Sequence, residues 1–362
     1  MYRRFLLLAL CLVALAACTA RGAIGLAPKM VDQARIKRIF VATTRQMDTN
    51  ILYNFNDLRT SKLTYARFDM SIPPTHKIGK IEWPRTRLKP NPATDFAVED
   101  AEIFKTPSEF GSKLHTALKT QRNKDEVVVF VHGYNSNFAE SLYRFAQITT
   151  DMDIRGAPVL YAWPAAASTL EYIHDRDSVL FARDGLQALL DQLAKVGTKR
   201  IILVAHSVGS NLVMETLRQM TLSGDKRTSR LIKGVVLISP DIDQNVFEMQ
   251  IRSLKPIPKP FVVFSDKKDH ALRFMSFLTG RRVRVGQIVN AQTLAKYNID
   301  VVDTSVYKDG GGYLNHSVAL TSPTIIAILR KLSVAAELSR KNGGNPRTLL
   351  QKMFNLTPKV TP

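Results

Sequence analysis

The chain has 362 residues, 45% hydrophobic and 23% charged, with 18 Gly and 17 Pro. This ordinary globular composition excludes a disordered chain, a collagen-like repeat and a multi-span membrane protein. Lys and Arg outnumber Asp and Glu by 51 to 31, a net charge of +20, and two Cys are too few for a disulfide-stapled scaffold.

Residues 1–17 read as an export signal. Arg3 and Arg4 form a positive start, Phe5 to Leu15 an apolar run too short to span a bilayer as a mature helix, and Ala16-Ala17 a small-residue cleavage site. Leu15-Ala16-Ala17-Cys18 resembles the lipobox of bacterial lipoproteins, which implies that Cys18 becomes a lipidated N-terminus. A plain secretory signal with an incidental Cys18 is the other reading. Cys11 lies in the removed segment, so the expected mature body holds no disulfide. Thr19, where an Asp would resemble an inner-membrane retention signal, points to the outer membrane, with the body in the periplasm.

Without residues 1–17 the net charge is still +18. For an exported protein, anionic phospholipid or glycolipid headgroups are the expected partners of such charge, and nucleic acid is not. The bases are scattered over Lys195–Arg200, Lys226–Arg230, Lys255–Lys259 and Arg281–Arg284 without interleaved aromatics, so a solvated basic surface is the plain alternative.

After a tether over 18–33, apolar and β-branched runs predict strands. They cover Ile36–Thr43, Ala66–Ile72, Val127–Val131, Pro158–Trp163, Arg200–Ala205, Gly234–Ser239, Pro260–Ser265 and Ile299–Asp303. Residues 74–107, with five prolines, read as a long ordered excursion before a helix capped by Ser108, whose apolar face is Phe110, Leu114 and Leu118. Leu186, Leu189, Leu190 and Leu193 share one further helical face, and Val208, Leu212, Val213, Leu217 and Met220 another. Near-continuous hydrophobic strands alternating with amphipathic helices predict one α/β domain over 34–335, a mostly parallel sheet covered on both faces. Residues 336–362 read as a basic, mobile tail.

The informative segment is Ala205-His206-Ser207-Val208-Gly209, where a buried strand runs straight into an amphipathic helix. A nucleophile on such a bend needs small residues two before and two after it, because strand and helix pack closely across the turn. Ala205 and Gly209 fill those places. Val127 to Val131 is followed by His132-Gly133-Tyr134, a loop suited to an oxyanion donor, so the backbone N–H groups of Tyr134 and Val208 are the expected pair. Tyr134 is also a candidate cleft aromatic, and His132 reads as a structural residue of the loop.

A base and an acid should follow the nucleophile in chain order. His316, in the Gly-rich loop 310–317 after the last strand, is the base candidate. Asp269 is the preferred acid, Asp266 the next, and Asp241 or Asp243 the remaining options; an unused Asp would be a cap or turn residue. His174, His206 and His270 read as surface or packing residues.

These pieces, together with Phe40-Val-Ala-Thr-Thr-Arg45, Tyr161-Ala-Trp-Pro164, Ser239-Pro-Asp-Ile-Asp243 and Asp269-His-Ala-Leu272, make residues 36–330 resemble an uncharacterised bacterial α/β-hydrolase family of the esterase/lipase superfamily. The resemblance implies that fold, with Ser207, Asp269 and His316 on the matching positions. Large lids in this fold follow the sixth strand, where only Asp241 to Lys259 intervene, so no large cap domain is expected. Phe274, Met275, Phe277 and Leu278 followed by Arg281–Arg284 could flank the cleft or be a packed helix with a solvated basic end. Trp163 and Tyr172 could line the pocket, or Trp163 could close its strand.

The expected activity is that of a serine hydrolase acting on acyl esters through a covalent acyl-enzyme, without metal or other cofactor. Thioesterase, acyltransferase or peptidase chemistry on the same three residues is one alternative. A catalytically silent envelope scaffold is the other, against which the complete Ser, acid and His set argues.

Overall fold

A computed structural model describes residues 22–27, 34–84, 89–168, 170–280, 282–288 and 294–331. The export signal, Cys18, most of the tether, Arg281 and the 336–362 tail lie outside the described residues.

Nine strands form one sheet: β1 (Arg35–Met47), β2 (Phe55–Ile72), β3 (Ala97–Phe104), β4 (Glu126–Val131), β5 (Ala157–Ala162), β6 (Arg200–His206), β7 (Ile232–Ile238), β8 (Phe261–Ser265) and β9 (Asp300–Asp303). Their spatial order is β3-β2-β1-β5-β4-β6-β7-β8-β9. β2 runs antiparallel to both its neighbours, and every other adjacent pair is parallel. All eight expected runs are strands. The ninth, β3, lies inside the stretch read as a long ordered excursion, where no strand was expected. Its sequence AVEDAEIF carries three acids, which hide the strand pattern until Arg67 of β2 is seen paired with Asp100 and Glu102 across the ladder.

Helices cover both faces. On one face lie α1 (Pro107–Thr120), α3 (Tyr172–Val196), α4 (Gly209–Leu222) and α6 (Gln244–Ser253); the short α5 (Lys226–Ser229) follows α4. Phe110, Leu114, Leu186, Leu190, Leu212 and Met220 pack there against Val127, Val129 and Val131 of the sheet. The opposite face takes α2 (Phe138–Asp151) and α8 (Val318–Thr321), with Phe138, Leu142, Phe145 and Leu320 against Val41, Phe130 and Val302. Successive β4 side chains therefore feed opposite cores, as a sheet buried on both sides requires. Each fully buried Leu or Phe contributes about 1.5–3 kcal/mol.

α1 begins two residues earlier than expected. Its cap is Thr106, whose hydroxyl accepts the Glu109 N–H at 3.1 Å; Ser108 is already helical, because Pro107 suits the first helical position. Between β7 and β8 the chain forms only α6 and its connections, so no cap domain is inserted there. Among the described residues no helix is long and apolar enough to cross a membrane.

The 74–96 excursion is pinned to α2 by a buried imidazole. His76 lies between Glu82, 2.7 Å from Nδ1, and Asp151, 2.8 Å from Nε2. Burial alone would lower its pKa, but the hydrogen bonds and charges of Asp151 and Glu82 outweigh it, and the net shift is upward. A histidine raised on folding contributes stability that is complete below its unfolded value of about 6.5 and is lost as pH rises through the folded value. Thermal melts from acid to alkaline pH are therefore expected to show the wild type losing stability across that window. In His76→Gln this component should be absent, so an identical pH profile for the two proteins would contradict the assignment.

Candidate active site

β6 ends at His206 and α4 starts at Gly209, leaving Ser207 and Val208 to turn the chain. Ser207 has φ +54°, the left-handed region that costs a non-glycine residue about 1–3 kcal/mol. The bend is held by the Ser207 N–H to the Ile238 carbonyl at 2.9 Å, and by the Ser207 carbonyl, which accepts the N–H groups of Ser210 and Asp241. A Cβ on Gly209 would fall 2.2 Å from the His132 carbonyl oxygen, so the helix can start here only without a side chain. Gly133 is equally constrained, since its Cβ would meet His206 Nδ1 at 2.8 Å and Ser207 Cβ at 3.0 Å. The loop after β4 thus passes directly beside Ser207.

The structure brings together the three side chains preferred from sequence. His316 Nε2 is 2.7 Å from Ser207 Oγ, and its Nδ1 is 2.7 Å from Asp269 Oδ2. With Nδ1–H donating to Asp269, Nε2 is left to accept the Ser207 hydroxyl proton; this tautomer follows from the hydrogen-bond network. Asp269 is fully buried, whereas the His316 ring keeps 19% of its surface exposed. Asp269 is oriented by a second task. It is the N-cap of α7 (His270–Leu278), its Oδ1 accepting the Leu272 N–H at 2.9 Å, so one carboxylate oxygen starts a helix while the other faces the imidazole.

The other acids are engaged elsewhere. Asp266 accepts the Lys268 N–H in a turn, its carboxyl pushed up by burial. Asp243 caps α6. Asp241 accepts the Tyr172 hydroxyl at 2.7 Å and lies 3.2 Å from Arg284 Nε. Arg284 is buried in this pair, which corrects its reading as part of a solvated basic end: a carboxylate behind the cleft draws it inward. Phe274 and Phe277 of α7 are 55% and 62% exposed, while Met275 packs inward.

The imidazoles divide by environment. His132 stacks on Trp163 with centroids 5.0 Å apart and accepts the Trp163 indole N–H at its carbonyl. Burial, aided by the charge of Arg45, lowers it to about 3, so it stays neutral. Trp163 is itself fully buried in this stack and does not line the cleft. His206 is a packing residue with a positional role that sequence reasoning missed: its Nε2–H donates to the His316 carbonyl at 3.0 Å, tying the base loop to β6. Burial, then the nearby His316, lowers it to about 3. His174 stands 3.4 Å from Asp175, and His270 is exposed.

Tyr134 follows Gly133 in the loop beside Ser207, and Val208 is the N-cap residue of α4, where N–H groups have no intrahelical acceptor. Two buried charges hold that loop. Arg45 donates to the Ser136 carbonyl at 2.8 Å and the Asn56 carbonyl at 3.2 Å, burial lowering it to about 10. Asp175 accepts the N–H groups of Asn135 at 3.3 Å and Ala166 at 2.7 Å, and burial raises its carboxyl. Tyr134 packs edge-on against Tyr172, 5.4 Å between centroids, and burial followed by the charges of Asp175 and Asp241 pushes its hydroxyl up to about 12. Tyr172, expected as a pocket-lining residue, is buried beside this loop with its hydroxyl on Asp241. Among the described residues no group of three or more His, Cys, Asp or Glu could hold a metal ion.

The profile of a family described as "Alpha/beta hydrolase of unknown function (DUF900)" matches residues 106–332. The chain belongs to that family, and its sheet, its helices on both faces and its strand-to-helix bend make it an α/β-hydrolase. No curated protein matches the sequence. Among solved structures it is similar to a fungal esterase from Rhizomucor miehei, at 12% identity over 90% of this chain and 85% of that one, with a TM-score of 0.38. It is similar to an inhibited esterase B from Lactobacillus rhamnosis, at 12% identity over 60% and 80%, TM-score 0.37. A third is EstE1, a carboxylesterase cloned from a metagenomic library, at 14% identity over 75% and 85%, TM-score 0.35.

Asp175→Ala leaves the half-buried N–H groups of Asn135 and Ala166 without this acceptor, a loss of about 0.5–1.5 kcal/mol for each hydrogen bond. The urea midpoint should fall by an amount equivalent to about 1–3 kcal/mol with an unchanged m value. A midpoint equal to wild type would mean that Asp175 does not hold the loop.

Proposed function

We propose that this α/β-hydrolase is a serine hydrolase that cleaves carboxylic esters through a covalent acyl-enzyme. The observation that carries the reading is the pair of 2.7 Å contacts of one imidazole, to Ser207 Oγ on one side and to buried Asp269 on the other. In this reaction the Ser207 oxygen attacks the acyl carbonyl while His316 Nε2 takes its proton. Asp269 keeps the Nδ1–H tautomer and stabilises the imidazolium as it forms. The negative charge on the carbonyl oxygen is met by the N–H groups of Val208 and Tyr134. The alcohol leaves with the proton held by His316, and water, deprotonated by the same ring, then releases the acid and restores Ser207.

A fluorophosphonate probe tests the reading. Wild type should label, Ser207→Ala should not, and ester turnover should fall on the order of 10⁴ to 10⁶ for Ser207→Ala or His316→Ala. Asp269→Asn should also cost several orders of magnitude, because it disturbs the tautomer. Asp241→Asn should cost less than about tenfold, which separates the two acids. No labelling of the folded wild type would favour the silent scaffold; faster turnover of matched thioesters or amides than of oxygen esters would favour the other acyl chemistries. An ester panel of graded chain length identifies the preferred acyl group.

The lipobox-like sequence extends this proposal to a lipid anchor at Cys18 on the periplasmic side of the outer membrane, with anionic headgroups as neighbours of the basic surface. Metabolic labelling with a fatty acid should modify the wild type and not Cys18→Ala. Equal labelling, or none in either, would leave Cys18 an incidental residue of a secretory signal.

A further inference from the structure

Beside the loop that carries His316 lies a cavity of about 450 Å³ whose wall includes neither Ser207 nor His316. Trp83, Phe130 and Leu320 form an apolar side, and Ser136, Ser141 and Arg144 a polar one. Arg144 comes from the second turn of α2. Its Nη1 donates to Gln147 Oε1 at 2.8 Å, and among the described residues no carboxylate lies within ion-pair distance of it. Asp151, the acid whose field reaches it, already accepts hydrogen bonds from Gly79 N–H and Gln147 and faces His76. Glu140 also borders the cavity, but its carboxylate accepts the N–H groups of Gly22 and Asn137 in the cap of α2. Burial lowers Arg144 to about 10, which leaves it a cation at neutral pH.

Arg144 is half-buried and has no counter-ion among the described residues, and the planar edge of its guanidinium matches a carboxylate through two parallel hydrogen bonds. The volume is within the range of small-molecule sites, and the apolar wall suits a short alkyl chain. Among the described lining residues Arg144 is the one Lys or Arg side chain, and with Glu140 nearby a monoanion fits better than a doubly charged phosphate. We propose that this cavity binds a short-chain monocarboxylic acid, its carboxylate on Arg144 and its chain against Trp83, Phe130 and Leu320. Gly133, His206 and Ser317 also line the cavity, so it adjoins the Ser207 bend, but neither Ser207 nor His316 forms its wall. The carboxylate site does not depend on the hydrolase reading, although an acid of this kind is also what ester cleavage would release.

The test is titration of the purified full chain with octanoate, read by calorimetry and by tryptophan fluorescence, since Trp83 lines the cavity and the chain's other tryptophan, Trp163, is buried against His132. Saturable one-to-one binding is expected, at least about tenfold weaker in Arg144→Gln, with Arg144→Lys between the two. Neither 1-octanol nor inorganic phosphate should compete at equal concentration. Ser207→Ala should bind octanoate as wild type does. Absence of saturable binding to wild type would overturn the proposal, whether or not Arg144→Gln folds. So would equal affinity in Arg144→Gln, equal affinity in Arg144→Lys and Arg144→Gln, or loss of binding in Ser207→Ala, which would put the acid in the nucleophile's cleft. Octanoate binding by a protein that the fluorophosphonate does not label would sustain this site while removing the serine-hydrolase reading.

Discussion

The bend at Ser207 is the constraint on which the rest of the architecture depends. A left-handed residue between a central strand and a helix is tolerated only if the surrounding chain over-determines it. Here the Ile238 carbonyl holds it from β7, and the bare backbone of Gly209 lies against the end of β4. Because β6 sits between β4 and β7 with parallel neighbours on both sides, the loops that follow all three strands emerge on one edge. The cleft is a consequence of that shared edge.

Around the bend, polar side chains are buried and bonded to partners far away in the sequence. Arg45 comes from the end of β1 and Asp175 from the start of α3, yet both terminate on the loop after β4. Thr43 reaches the Ala162 carbonyl at 2.6 Å, so the segments 40–45, 132–137 and 161–164 converge on a single corner. Such a network rigidifies a loop because each of its charged members would be expensive to leave unpaired. On the other side of Ser207, His206 and Asp269 fix the base loop by its carbonyl and its ring respectively.

Much of this was legible in the sequence, and the misses have a common cause. Eight strands announced themselves through hydrophobic runs, and Ser207, Asp269 and His316 through local context and chain order. What stayed hidden depends on partners far away. The acids of β3 look like loop residues until Arg67 stands opposite them. Arg284 reads as a solvated base because Asp241, its partner, is more than 40 positions earlier. Asp175 and His206 carry no periodic signal, and their roles exist only once Asn135 and the His316 loop are in place. The helix cap at Thr106 was displaced by two residues because a proline after the cap is as good a signal as a serine within the first turn.

Ser207 and His316 are separated by 109 positions, and the ring that completes the pair arrives after the last strand. A chain emerging from the ribosome therefore presents its bend and its β4 loop long before the imidazole exists. On the proposed reading, a nascent or C-terminally clipped polypeptide would lack the base for that hydroxyl, and reactivity would begin only with completion of the fold.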